Sequence, residues 1–239
     1  MIDDKIKASK EILTRRYKMS GKLIVLEGID GSGKATQSNI LREKIENLGK
    51  KVLHVSFPDY ESPSSALVKM YLQGNFGKNP GDVNPYAASL FYALDRFASY
   101  RACWKSFYKE GGIVIADRYT TSNMVHQMTK YDEKEKREEF LNWLDETEYK
   151  KLELPRPDMV ILLDVPLDIS KELVRERAGK GGSMDIHEQH LEYLEKCYSA
   201  YQALCEKYGW QRISCVYGKR MRSVEEVSSE IFERVSCIL

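Results

Sequence analysis

The chain is organised around one segment, Gly28-Ile29-Asp30-Gly31-Ser32-Gly33-Lys34-Ala35-Thr36. Two glycines separated by four residues and followed by a lysine form the phosphate-binding loop of nucleoside-triphosphate enzymes. Residues 23–26, just before it, are apolar and typical of a buried strand, and residues 37–45 carry apolar side chains at helical spacing. In this context the loop N–H groups and the helix N-terminus converge on an anion, and Lys34 adds a positive charge for the outer phosphates. The segment therefore predicts a triphosphate site.

One position departs from the usual motif. Ala35 stands where a Ser or Thr hydroxyl normally reaches Mg²⁺. Thr36 follows one residue later and lies on a different side of the helix. The sequence predicts the phosphate site but leaves this part of the metal's ligand set unassigned.

Composition limits the classes of protein that the chain can belong to. With 239 residues, 42% hydrophobic and 31% charged, it can build one large α/β domain or two small ones. Its 37 basic and 36 acidic residues give a net charge of +1, which argues against DNA or RNA as the main partner. The five cysteines lack CxxC spacing, and no apolar run reaches membrane-spanning length. We therefore expect a cytoplasmic protein with reduced thiols and no membrane or nucleic-acid partner.

Four further apolar runs follow at intervals, at residues 52–57, 113–116, 159–163 and 213–217. They are continuous rather than alternating, which is typical of strands buried on both faces of a parallel sheet. Helical patterns separate them, so we predict a three-layer α/β fold with a five-stranded parallel sheet and helices on both faces. No linker divides the chain. We expect a single domain over residues 21–239, preceded by an N-terminal extension, residues 1–20, to which we assign no function.

Charged and aromatic residues follow several of the predicted strands. Ligands of parallel sheets bind beyond the carboxyl ends of the strands. Phe57 and Tyr60 follow the second strand, and Asp117 and Arg118 follow the third. Arginine suits bidentate phosphate contact, and a buried strand would deliver Arg118 to the side where Lys34 points. This edge of the sheet is the predicted phosphate and nucleobase site.

A long helical segment, residues 84–110, carries an apolar stripe that includes Leu90 and Leu94, and most of that stripe is expected to be core. Tyr92 and Arg96 are four residues apart and project from one helix face. One interpretation is a ring that stacks on a base beside a cation that contacts the base edge. The other is a core tyrosine beside a surface arginine, which spacing alone favours.

Five motifs occur in the order found in thymidylate kinases, at residues 26–34 (LEGIDGSGK), 57–60 (FPDY), 94–97 (LDRF), 117–123 (DRY followed by SN) and 163–166 (LDVP). The chain resembles that family from about residue 20 to the C-terminus. The resemblance implies a P-loop kinase fold with a short lid. It also implies that the protein transfers the γ-phosphate of ATP to dTMP with Mg²⁺, and that it is a homodimer.

The same resemblance assigns roles to individual residues. It implies that Asp30 contacts the nucleotide sugar and helps to hold Mg²⁺, with Asp117 near the metal and Lys34. Arg118 resembles the arginine on the acceptor phosphate. Ile29 and the other residues of the segment from Gly28 to Thr36 are expected to bind ATP.

For the acceptor base, the resemblance implies that Tyr92 stacks on thymine, Arg96 lies at the base edge and Asn123 contacts the imide. His126 stands where some members carry a tyrosine that disfavours a ribose 2′-hydroxyl, which leaves sugar selectivity open. The full set expected at dTMP is Asp30, Phe57, Tyr60, Tyr92, Arg96, Arg118, Asn123, His126 and Glu188.

The resemblance further implies a lid at about residues 174–185. In members whose phosphate loop lacks an arginine, as here, the lid supplies basic residues, and Arg175 and Arg177 fit that role. Phosphoryl transfer needs cations around the equatorial oxygens as charge spreads. The expected catalytic residues are Lys34, Arg118, Arg175 and Arg177.

Two alternatives remain at this point. One is a kinase of another pyrimidine monophosphate, UMP or dUMP. The other is a GTP-dependent switch, because residues 129–132 (TKYD) fit the guanine-reading pattern [NT]KxD. That tetrapeptide follows no buried strand, and the only DxxG lies within the phosphate loop, so we reject the switch.

Overall fold

Five parallel strands form the central sheet of this computed structural model, which describes residues 21–179, 190–218 and 220–239, without the side chains of residues 176–179. The sheet order is β2-β3-β1-β4-β5. The strands are β1 (Lys22–Glu27), β2 (Val52–Ser56), β3 (Ile113–Asp117), β4 (Met159–Asp164) and β5 (Gln211–Ser214). All four pairings are parallel, which confirms the predicted sheet.

Helices cover both faces of the sheet. They are α1 (Lys34–Asn47), α2 (Ala66–Leu72), α3 (Pro85–Ser99), α4 (Lys105–Lys109), α5 (Thr120–Met128), α6 (Lys134–Asp145), α7 (Leu167–Gly179), α8 (Leu191–Tyr208) and α9 (Val224–Ser236). Ile24 and Leu26 of β1 pack with α1 and α9 on one face, whereas Leu23 and Val25 pack on the opposite face. Each fully buried side chain of this size contributes about 1.5–3 kcal/mol of hydrophobic free energy. Burial on both faces explains why the strands are continuously apolar.

The predicted helix over residues 84–110 is present, but it is not uniform. A π-helical turn, Tyr100–Trp104, joins α3 to α4. The expectation that Leu90 and Leu94 are core is wrong, because their exposed fractions are 39% and 49%. The inward face of α3 instead consists mostly of small or polar residues, Ala88, Ser89, Ala93, Asp95, Arg96 and Ser99. Small side chains let α3 approach its neighbours closely, so the leucines face outwards.

A second π-helical turn, Glu146–Lys151, extends α6. The Leu152 N–H donates to the Thr147 carbonyl at 2.9 Å, which is the five-residue spacing of a π-helix. Glu148 within this turn is completely buried. The turn therefore directs a carboxylate into the protein from a segment whose charges suggest a solvated helix.

The fifth strand differs from the prediction of residues 213–217. β5 ends at Ser214, and β6 (Val216–Tyr217) pairs with β7 (Arg220–Met221) in a separate antiparallel ribbon. The Cys215 N–H still donates to the Asp164 carbonyl at 2.9 Å, and the chain leaves the main sheet after it. None of the described helices is long and apolar enough to cross a membrane.

Candidate active site

The phosphate loop joins β1 to the N-terminus of α1. Gly28 has φ 150°, and a Cβ there would lie 2.6 Å from Ser32 Oγ and 2.8 Å from the Leu163 carbonyl oxygen. Gly33, which precedes α1, has φ 87°. Both positions require glycine, the first for space and the second for its left-handed conformation.

Lys34 lies inside this loop rather than in solvent. Its Nζ donates to the carbonyl oxygens of Gly28 and Ile29, each at 2.9 Å. Burial, together with the nearby Arg118 cation, lowers the pKa of Lys34 to about 8, although Asp30 and Asp117 act in the opposite direction. An anionic phosphate would favour the protonated lysine, so the site is prepared electrostatically for a negative ligand.

Arg118 connects the loop to the end of β3. Its backbone φ is 66°, an uncommon conformation for a residue other than glycine. Its Nη2 donates to Asp30 Oδ1 at 2.6 Å, and its Nη1 donates to Ser122 Oγ at 3.1 Å and Tyr201 OH at 3.2 Å. Backbone strain of this kind clusters at functional sites, and here it aims a guanidinium at the phosphate loop.

Asp30 is held in its ionised form. Burial alone would raise its pKa, but the Arg118 and Lys34 cations outweigh burial and hold the pKa of Asp30 well below its usual range. Its carbonyl oxygen accepts a 2.6 Å hydrogen bond from Ser170 Oγ of α7. The helix whose C-terminal part belongs to the predicted lid is therefore attached directly to the phosphate loop.

A pocket of about 590 Å³, counting the solvent at its mouth, opens beside the Asp30–Arg118 pair. It is lined by Asp30, Phe57, Pro58, Tyr60, Leu72, Tyr92, Arg96, Arg118, Tyr119, Ser122, Asn123, His126 and Gln127. The structure thus brings together all the residues predicted for dTMP except Glu188, which lies outside the described residues. They come from the phosphate loop after β1, from the segments that follow β2 and β3, and from helices α3 and α5.

The interpretation of Arg96 as a surface residue is wrong, whereas its contact with a base edge stays a prediction. Arg96 is only 2% exposed, and its Nε and Nη2 donate to the two carboxylate oxygens of Glu148, each at 2.7 Å. Burial would lower the pKa of Arg96, but the Glu148 carboxylate overcomes this and raises it. The guanidinium also lies over the rings of Phe57 and Tyr119, at 5.6 and 5.3 Å. Arg96 is a buried, fixed cation in the pocket wall, not a surface residue.

Sequence reasoning missed two buried residues, Gln127, which lines the pocket, and Glu148, which binds the pocket residue Arg96. Gln127 is completely buried, and neither its Oε1 nor its Nε2 has a hydrogen-bond partner among the described residues. Glu148 was missed because it lies 52 residues from Arg96 within a charged run. Gln127 follows His126 directly, and that position beside a predicted site residue was its only sequence signal.

A third missed residue, Glu27, lies under the site. It is completely buried at the end of β1. Its carboxylate accepts hydrogen bonds from the hydroxyl groups of Thr121, Ser122 and Tyr201, at 2.6, 2.7 and 3.0 Å. Glu27 therefore ties the strand before the phosphate loop to α5 and α8.

His126 is neutral at physiological pH. Burial, assisted by the Arg118 cation, lowers its pKa to about 3. Its Nδ1 lies 3.2 Å from Tyr193 OH, which also donates to the His126 carbonyl at 2.9 Å. The ring consequently adds polarity but no charge to the pocket, and its effect on sugar selectivity stays a prediction.

Few side chains among the described residues of the site could bind a metal ion. No group of three or more potential metal ligands occurs among residues 21–179, 190–218 and 220–239. Asp30 Oδ1 is occupied by Arg118, whereas no hydrogen bond within the described chain uses the Asp117 side chain. A carboxylate and the substrate's phosphates suffice for Mg²⁺, so these residues fit it, with Asp117 the more available of the two predicted ligands.

The predicted lid is described only in part. Arg175 is exposed on α7, one and a half turns beyond Ser170, whereas the side chain of Arg177 lies outside the described residues. The TKYD tetrapeptide does not form a guanine site. Its Lys130 follows α5, and Nζ donates to the Val83 carbonyl at 2.9 Å and to Tyr71 OH at 3.1 Å.

Comparison with known proteins gives a consistent result. The thymidylate kinase family model matches residues 26–231. Probable thymidylate kinases of Pyrococcus horikoshii and Pyrococcus abyssi are 30% and 32% identical, each over 89% of this chain and 95% of the relative. The thymidylate kinase of Mycobacterium tuberculosis is 29% identical over 79% of this chain and 87% of its own. A solved thymidylate kinase from Candida albicans shares the fold, with a TM-score of 0.67 at 23% identity and 92% coverage of both chains. The chain is a member of the thymidylate kinase family.

Proposed function

We propose that this protein transfers the γ-phosphate of ATP to dTMP, yielding ADP and dTDP. One observation carries the proposal. The Asp30–Arg118 ion pair, at 2.6 Å, joins the phosphate loop to a pocket of nucleotide dimensions. Donor and acceptor sites that share a wall can hold two phosphates close enough for direct transfer. Membership of the family supplies the identity of the acceptor.

The chemistry requires little covalent participation by the protein. An oxygen of the dTMP phosphate attacks the γ-phosphorus, a new P–O bond forms, and the bond to the β,γ-bridging oxygen breaks so that ADP leaves with that electron pair. The attacking oxygen is already anionic and needs no strong base. Lys34 and the phosphate-loop N–H groups bind the donor, and Arg118 orients the acceptor phosphate.

We assign Mg²⁺ to the side of the site where Asp117 lies, with Asp30 adjacent. When bound, the ion would neutralise charge on the β- and γ-phosphates. Ala35 is exposed at the start of α1 and offers no oxygen from its side chain. Asp117 and the phosphates would therefore provide most of the non-water ligands.

We also assign Arg175 and Arg177 to the transferred phosphate and Glu188 to the acceptor side. Ser170 supports this assignment, because its hydrogen bond to Asp30 fixes the start of α7 on the phosphate loop. Replacing Arg177 by Ala should lower kcat more than it raises KM for dTMP. An effect confined to dTMP affinity contradicts the assignment.

Lys34→Met tests the whole proposal. Its rate of ADP formation with dTMP should fall by about a hundredfold or more, because one charge at the transition state is lost. Lys44→Met is the matched control, since Lys44 lies on the same helix but donates to Ser228 Oγ of α9. Both variants should keep the wild-type circular dichroism spectrum. Near-normal turnover by Lys34→Met contradicts the proposal.

The acceptor is tested with dTMP, dUMP and UMP at saturating ATP, scored by kcat/KM. We expect dTMP to be preferred. The missing methyl group of dUMP should cost about 10- to 200-fold at most, because a hydrophobic contact discriminates weakly. A higher kcat/KM for UMP would assign the protein to another pyrimidine monophosphate.

We further propose that the protein is a cytoplasmic homodimer. Cys103 and Cys237 are exposed free thiols, which persist in a reducing compartment. Leu90 and Leu94 form an exposed apolar pair on one face of α3 and supply a surface that a second copy could cover. Light scattering should give the mass of two chains, and Leu94→Glu should give the mass of one. A monomeric wild type contradicts the dimer.

A further inference from the structure

Four hydrogen bonds converge on the buried Glu148 carboxylate. Oε1 accepts from Arg96 Nη2 at 2.7 Å and from Asn123 Nδ2 at 3.2 Å. Oε2 accepts from Arg96 Nε and from Thr120 Oγ1, each at 2.7 Å. All four donors come from α3 and α5, the two helices that line the acceptor pocket. A single carboxylate therefore fixes side chains on both.

Within this network, the orientation of the Asn123 amide decides whether its oxygen or its NH₂ group is left for a ligand. Its Nδ2 donates to Glu148 and to the Ser89 carbonyl, each at 3.2 Å. Both partners can only accept, so the opposite orientation would set acceptor against acceptor. The Oδ1 atom is buried and has no partner among the described residues, and Asn123 lines the pocket. The network thus fixes an unpartnered acceptor atom on a residue of the pocket wall.

We propose that Glu148 is a positioning residue for base selection in the acceptor pocket. By holding the Asn123 NH₂ group, it keeps Oδ1 available for a base whose facing edge carries an N–H, as the imide of thymine or uracil does. Cytosine presents a bare ring nitrogen at the same place, and two acceptors would then face each other. This inference rests on the proposed function, because it concerns the base of the phosphate acceptor.

Arg96 also favours thymine over cytosine. Glu148 occupies its Nε and Nη2, and no hydrogen bond among the described residues uses Nη1. A guanidinium can only donate, so it favours the exocyclic oxygen of thymine over the amino group of cytosine. Glu148 holds a donor and an acceptor in the order that matches an imide edge.

Glu148→Gln tests the proposal with the smallest change of shape. A carboxylate can only accept, whereas a glutamine amide also donates and so tolerates either orientation of Asn123. We expect the ratio of kcat/KM for dTMP to that for dCMP to fall by about 10- to 100-fold, the effect of one mispaired buried polar group. Glu148→Asp, which remains an acceptor, should keep this ratio within about threefold even if both rates fall. A general loosening of the fold lowers both rates and leaves the ratio unchanged.

Two comparisons show whether the effect of Glu148→Gln passes through Asn123. Asp145→Asn removes a nearby ion pair with Arg156 outside the pocket and should leave the ratio unchanged. In an Asn123→Ala background the ratio is already lowered, so adding Glu148→Gln should change it much less than in the wild type. A wild-type ratio in folded Glu148→Gln, or equal effects in both backgrounds, overturns the proposal. Failure of the wild-type protein to phosphorylate dTMP at all would instead overturn the proposed function.

The wild-type protein gives a test that does not depend on a variant folding. In ¹⁵N-labelled protein, the Asn123 NH₂ group should be protected from solvent exchange both before and after dTMP is added. Its partners, Glu148 and the Ser89 carbonyl, are the same in both states. Loss of that protection on binding, which would show the NH₂ group turning to the ligand, overturns the proposal.

Discussion

Replacing Arg118 by Lys keeps the positive charge between the two substrate sites but removes the planar guanidinium. The variant should therefore show how much of the activity depends on the geometry of Arg118 rather than on its charge. Arg118 uses one Nη for Asp30 and the other for Ser122 and Tyr201, at distances from 2.6 to 3.2 Å. A lysine ammonium keeps the charge but cannot make these contacts and bind a phosphate at the same time. Losing two charge-assisted hydrogen bonds at about 1.5 kcal/mol each gives about 3 kcal/mol. That corresponds to a fall of about 150-fold in kcat/KM for dTMP.

The assay follows ADP release while dTMP is varied at saturating ATP, and then while ATP is varied at saturating dTMP. KM for ATP should change by less than about threefold, because Lys34 and the loop N–H groups are untouched. Arg156→Lys is the control, since Arg156 makes a bidentate pair with Asp145 that is more than half exposed on the arginine side. An Arg118→Lys variant that keeps dTMP turnover near the wild-type level, or that loses no more than the control, refutes the reasoning.

Three further predictions concern titration and stability. Because burial lowers the pKa of Lys34 to about 8, kcat/KM for ATP should decline as the pH rises through that value, and a profile that is flat well above it contradicts this. The pKa of His126 is about 3 in the folded protein against 6.5 unfolded, so the unfolded state binds a proton first and stability falls as the pH drops below 6.5. By about pH 5 the free energy of unfolding, measured with urea, should have fallen by about 2 kcal/mol more for the wild type than for His126→Gln. An equal fall in both proteins would contradict this prediction. Glu27→Gln should lower the free energy of unfolding by about 1–3 kcal/mol. The Glu27 carboxylate oxygens accept hydrogen bonds from three buried hydroxyl groups, and the substitution replaces one of these oxygens by an NH₂ group, which donates. An unchanged urea midpoint would count against this prediction.

Much of the site follows from local sequence patterns. The phosphate loop is defined by spacing alone, and Arg118 follows directly from its position at the carboxyl end of a buried strand. Tyr92 and Arg96 share a helix face because they are four residues apart. Such features depend on neighbours within a few residues. The sheet, the phosphate loop and the position of Arg118 were predictable for that reason, whereas Asn123 and His126 were predicted only from the resemblance to the family.

The features that escaped prediction depend on pairing between distant segments. Glu148 lies in a run of charged residues that is typical of a solvated helix, and only the fold places it against Arg96. Leu90 and Leu94 fit an apolar stripe, yet α3 buries its small residues instead. Nothing in the local sequence distinguishes Gln127 from a surface glutamine, because only the packing of the folded chain buries it. None of these contacts has a periodic signature along the chain.

The π-helical turn at Glu146–Lys151 also affects how sequences of relatives should be aligned. A π-turn contains one more residue than an α-turn, so deleting one residue here would let α6 continue as a regular α-helix and would displace the residues within the turn rather than those on either side of it. Glu148 would then leave the network without any change in its own identity. A one-residue gap at this point is therefore a difference in the acceptor site rather than ordinary variation in loop length. An acidic residue aligned across such a gap is not the counterpart of Glu148.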